Sequence, residues 1–139
     1  MTYAALAFLL GLSSGLRTFT APATLWLMRH PGPWANVLAV LAALEYVADL
    51  HPNTPSRTTP AGTIARVVSG AFVGWVAATS LGGDPTAGAL AGIAGALLGA
   101  YGGLDLRLRA SAAIGNVPAG LLEDAIAIGV AVLAVMRLP

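Results

Sequence analysis

The sequence reads as an all-α, polytopic transmembrane bundle, and three observations lead there. Of its 139 residues, 57% are hydrophobic and only 9% charged, against about 25% charged in ordinary soluble domains. Four apolar stretches, which with their flanks include the runs 6–15, 37–50, 64–81 and 118–136, approach or exceed the roughly 20 residues a helix needs to cross a bilayer. Charges also lie where apolar runs should exclude them: Arg17, Glu45, Asp49, Arg66, Glu123 and Asp124 sit inside or at the edges of those stretches. A charge at bilayer depth costs several kcal/mol unless paired or hydrated, so such residues usually have a function. A soluble chain of this length could not cover so much apolar surface. One integral membrane domain, 1–139, is expected.

The elements follow in order. Helix one extends over 2–28 at its widest and contains Gly11, Gly15, Arg17 and Pro22. Pro22 removes a backbone hydrogen bond, so a broken or kinked helix is predicted, with Arg17 near the break. Residues 29–33 form a turn rich in proline and glycine. Helix two covers 34–50, with Trp34 as an interfacial anchor. The polar stretch 51–60 carries prolines at 52, 55 and 60, which forbid a continuous helix. Helix three covers 62–81, and Gly82-Gly-Asp-Pro85 is a tight turn.

Helix four is predicted over 86–104. Gly88, Gly92, Gly95, Gly99 and Gly102 line one of its faces. Such a stripe lets helix backbones approach closely, and in lipid close packing drives association. Gly11-x-x-x-Gly15 and Gly70-x-x-x-Gly74 repeat the pattern on helices one and three. Asp105-Leu-Arg-Leu-Arg109 is read as the interfacial end of helix four, 110–117 as a loop, and 118–136 as helix five, opening on Pro118. Five spans put the termini on opposite sides. The arginine distribution then weakly favours a cytoplasmic N-terminus; a re-entrant hairpin in helix one would change that parity.

Other classes fall away. No cysteine is present, so no disulfide or thiol chemistry is expected. A net charge of +1 offers no nucleic-acid-binding surface. The apolar start lacks the basic n-region of a secretory signal, so Met1 is expected to begin the mature chain. His30 and His51 stand beside prolines without a ligand set, and no metal site or cofactor is predicted. No nucleophile triad or Walker loop occurs, so no catalytic residue is assigned.

A short internal similarity relates Arg17-Thr18 before Pro22 to Arg57-Thr58 before Pro60. Another relates Glu45 and Asp49 to Glu123-Asp124. Transporters are often built from such repeats, with broken helices at the site.

Gly15-Leu-Arg-Thr18, Glu45-x-x-x-Asp49, Thr54-Pro-Ser-Arg-Thr58 leading into Ala65-Arg66-x-x-Ser69-Gly70, and Leu121-Leu-Glu-Asp124 together resemble the motifs of a family of small bacterial inner-membrane proteins, catalogued only as a domain of unknown function. The resemblance covers essentially the full length. It implies a multi-helix membrane fold and names no substrate.

Arg17, Thr18, Glu45, Asp49, Arg66 and Glu123 are the predicted ion or ligand pathway. Glu45 and Asp49 share a helix face; they make either a proton or cation site, or structural partners for arginine. Arg17 is either an anion ligand beside the exposed amides of a helix break, or the partner of a carboxylate. Arg66 can be explained by snorkelling alone. Ser56, Arg57 and Thr58 form a hydroxyl-rich loop suited to phosphate or a lipid headgroup, or simply a solvated loop. Asp124 is assigned to the helix dipole. The expected function is a small transporter or channel for an ion or small polar solute, homo-oligomeric and multi-pass in a bacterial inner membrane with lipid as a partner. The alternative is a lipid-binding, scaffold or assembly protein. A water-filled cavity reaching Glu45 would favour the first, and a dry, fully paired cluster the second.

Overall fold

The computed structural model describes residues 1–51 and 58–139. Among the described residues there are six helices: α1 (Tyr3–Leu16), α2 (Thr20–Arg29), α3 (Pro33–Asp49), α4 (Pro60–Ser80), α5 (Pro85–Ile114) and α6 (Asn116–Val135). Three of them, α4, α5 and α6, with 21, 30 and 20 residues, are long and apolar enough to cross a bilayer. Local chemistry sets the starts. Thr2, Thr59 and Asp84 accept a first-turn amide at the openings of α1, α4 and α5, and proline occupies the first turn of α3, α4 and α5.

The first predicted helix is indeed broken, but Pro22 is not the cause. The break falls at Arg17–Phe19. Pro22 lies in the first turn of α2, where a missing N–H removes no intrahelical bond. The two pieces double back. Tyr3, at the start of α1, packs against Gly83 in the α4–α5 turn. Arg29, at the end of α2, donates to the carbonyl of Val135, the last residue of α6, at 2.9 Å and to that of Leu138 just beyond it. Helices α1 and α2 therefore enter and leave the bundle at one end, with Arg17 at their tip. At 1.5 Å per residue they reach only about 21 and 15 Å. Helices α3 and α5 run parallel to α1, whereas α4 and α6 run antiparallel to it. Both described termini consequently lie at the same end of the bundle, where five through-going segments would have separated them.

The glycine stripe packs within the chain. A Cβ on Gly92 would lie 2.0 Å from the Gly70 carbonyl oxygen, and one on Gly88 2.5 Å from that of Gly74. Towards α1, a Cβ on Gly95 would meet the Phe8 oxygen at 2.1 Å and one on Gly99 the Leu12 oxygen at 2.4 Å. Helix α5 is thus wedged between α1 and α4 at near backbone contact. Gly102 departs from the expectation. Its nearest neighbour would be the Leu98 Cδ1 at 3.6 Å, because α1 has ended at Leu16 and nothing packs there.

Helix α5 also continues to Ile114, beyond the predicted stop at 104, because no glycine or proline interrupts it before Gly115. Gly115, at φ 93°, makes the tight reversal into α6. Leu6, Leu10, Leu25, Val73, Ala131 and Val135 form an apolar core at the termini end. The charged side chains gather above it.

Candidate functional site

Charges from the α1–α2 break and from the four helices α3, α4, α5 and α6 meet in one layer at the tip of the α1–α2 hairpin. Arg17, 1% exposed, is at its centre. Its Nε lies 2.6 Å from Asp124 Oδ1, one terminal nitrogen is also 2.6 Å from that atom, and the other is 2.9 Å from Asp49 Oδ2. Glu123 Oε2 is farther, at 3.9 Å. The Tyr46 ring lies 5.6 Å from the guanidinium carbon, and its hydroxyl bonds Thr20 Oγ1. Pairing of this kind is what permits an arginine to stay away from water.

Arg107 is the second hub. It comes from the stretch that sequence reasoning placed at the interface, yet it is 9% exposed. Its guanidinium crosses Gly120, where a Cβ would lie 2.9 Å from one terminal nitrogen. One terminal nitrogen donates to Glu123 Oε2 at 2.8 Å and Asp49 Oδ2 at 3.0 Å, and the other to Asn116 Oδ1 at 3.0 Å. Asp49 thereby bridges the two arginines.

Glu45 has a different task from Asp49, although the two share a helix face. Its carboxylate accepts from the backbone N–H of Thr18 at 2.8 Å and of Phe19 at 3.0 Å, and Arg66 approaches it at 3.5 Å. The amides expected to hold an external anion therefore hold one of the chain's own carboxylates. Arg66 does not snorkel. Its Nε donates to the Gly15 carbonyl at 3.1 Å. Ser69, one turn on and on the same face, donates to the Thr18 carbonyl at 2.6 Å. Glu45, Arg66 and Ser69 thus bind backbone groups that the break leaves without helical partners, which an apolar setting requires.

The predicted pathway residues Arg17, Thr18, Glu45, Asp49, Arg66 and Glu123 are brought into this one layer. Arg107, which reads from sequence as interfacial, and Asp124, which reads as a helix-dipole residue, belong to the layer as well. The uninterrupted helical sequence from Leu104 to Ile114 was the available signal for the first, and adjacency to Glu123 for the second. Ser56 and Arg57 lie outside the described residues, and with them most of that loop and half of the suggested repeat. Among the described residues, no group of His, Asp and Glu could hold a metal ion.

The layer is closed towards the apolar core and more open at the end of α3. Side-chain exposure is 25% at Asp49, 17% at Asp124 and 7% at Glu123. A cavity of about 540 Å³ also touches it, at Arg107 and Glu123, between α1, α5 and α6; its other lining residues are Leu, Ile, Ala and Gly. A smaller one, about 200 Å³, lies between α2 and α3 beside Tyr46. Neither is lined by Glu45.

No protein-family model, curated protein or solved structure matches the chain.

Proposed function

We propose that the chain is a small membrane transporter or channel for an ion or small polar solute, which passes by the charged layer at the hairpin tip. The re-entrant hairpin carries this reading. A helix broken inside the bundle, with arginines and carboxylates from α3, α4, α5 and α6 around it, is an arrangement that membrane proteins use at solute sites. Asp49 would be the entry, being the most exposed member of its ion pairs and shared by both arginines.

In this proposal α3, α4, α5 and α6 cross the membrane and the hairpin dips in and returns. Arg66, Arg107 and Arg109 then lie towards one side, with Arg29 and Arg137 at the other. The positive-inside rule puts the termini outside, reversing the orientation expected from five spans. A bacterial inner membrane, a homo-oligomer and the motif-based family resemblance belong to the same proposal.

Protein in proteoliposomes is expected to pass protons, an alkali cation or a small anion faster than empty liposomes, and Asp49→Asn to slow that flux at least tenfold. Wild-type flux equal to empty liposomes for all of these would remove the reading. Two observations favour the alternative of a lipid-binding or scaffold protein: the charges are mutually paired, and the larger cavity at the layer is apolar apart from Arg107 and Glu123.

A further inference from the structure

The 540 Å³ cavity is a groove along α5 and α6. Its outer walls are Leu98, Leu106, Leu122 and Ile126, each half or more exposed or nearly so, at 55, 68, 52 and 49%. Glycines at 99, 102 and 103 deepen it. The groove exists because α1 stops at Leu16 while α5 continues to Ile114. From Leu98 to Ala110 it runs along the α5 axis for about 18 Å. Both flanking helices are apolar enough to cross a bilayer, so hydrocarbon chains are the molecules that surround it.

Its polar wall is specific. Arg107 and Glu123 line it. Among the described residues, the buried Nε of Arg107 has no hydrogen-bond partner, whereas both terminal nitrogens are engaged. A buried N–H without an acceptor is a standing cost that a ligand oxygen can remove. Arg107 lies about 10 Å in from the end of α5, near the depth at which the hydrocarbon core gives way to headgroups. A phosphate there would bring a further negative charge beside Glu123 and Asp49. A neutral carbonyl would not.

We propose that the groove binds one ester-linked glycerolipid, its acyl chain between α5 and α6 and an ester carbonyl accepting from Arg107. The inference takes the charged layer as a ligand-contacting site, as the transport reading does, but it names an amphiphile that reaches the layer sideways from the bilayer.

Native mass spectrometry of the detergent-purified protein, with dioleoylphosphatidylglycerol as the probe, tests it. Wild type should retain one lipid per chain. Gly102→Phe fills the groove where an added Cβ meets only Leu98 Cδ1 at 3.6 Å, and should lose that lipid while melting as wild type does. Leu90→Phe, on an exposed part of α5 outside the groove, should keep it. The ether-linked analogue, with the same headgroup and chains but no carbonyl, should be held about fivefold more weakly. No lipid on wild type, or equal retention by Gly102→Phe, overturns the site. Equal retention of the ester and ether lipids overturns the role of Arg107. A lipid-free dimer that Gly102→Phe dissociates assigns the groove to a second copy and overturns the proposal. Because the readout is bound lipid, a protein that retains lipid but carries no solute sinks the transport reading and leaves this one standing.

Discussion

Arg17 is gripped by Asp124 from α6 and by Asp49 from α3, so its pairing ties three segments together. Removing one partner of a buried pair costs roughly 3–5 kcal/mol, because the other charge is left behind. Asp124→Asn is therefore expected to lower unfolding stability in micelles by about 3 kcal/mol. Adding Arg17→Gln should recover part of that loss. An additive double mutant would show that the pair is not coupled. Glu45→Gln tests a different bond. Its amide NH₂ would face a backbone N–H of Thr18 or Phe19, donor against donor, so the variant should loosen the hairpin tip. Faster hydrogen exchange at those amides, with α4–α6 unchanged, is the expected result. Unaltered exchange would deny Glu45 its capping role.

Much of this layer was legible because a charge within an apolar run has few inexpensive explanations. Arg17, Glu45, Asp49, Arg66 and Glu123 stand out on that ground. Arg107 does not, since Asp105, Arg107 and Arg109 come close together and look interfacial; only tertiary packing separates the buried Arg107 from exposed Arg109, whose side chain is 77% exposed. The two acids of α3 likewise look like partners in one task. Sharing a helix face does not reveal that one carboxylate meets backbone amides and the other guanidinium groups.

Among the helices, α5 shows how spacing and context divide the work. The stripe Gly88, Gly92, Gly95, Gly99 was readable from sequence, but Gly102 was indistinguishable from its predecessors until the end of α1 was located. Gly92→Leu should abolish folding, because its Cβ would lie 2.0 Å from a backbone oxygen of α4. Gly102→Leu should melt within a degree or two of wild type. Equal damage by both would contradict the packing. Gly120 has a separate role as the floor beneath Arg107. Gly120→Val is expected to push the guanidinium aside and destabilise the fold by about 2 kcal/mol as its ion pairs lengthen; a thermal melt in micelles reads this directly.

For the chain as a whole, the break in the first segment decides the topology. Its presence near Arg17 was predictable, whereas the direction of the second piece was not, since composition cannot distinguish a kinked crossing from a hairpin. The direction follows from contacts far apart in sequence: Tyr3 against Gly83, and Arg29 with Val135 and Leu138. The hairpin is what carries Arg17 into the charged layer. Because the chain has no cysteine, single cysteines at Thr2, Ala113 and Pro139 can be probed in oriented vesicles with a membrane-impermeant maleimide. Thr2→Cys and Pro139→Cys should label from one face and Ala113→Cys from the other. Labelling of Thr2→Cys and Pro139→Cys from opposite faces would mean that the first segment crosses the membrane, and would contradict the hairpin.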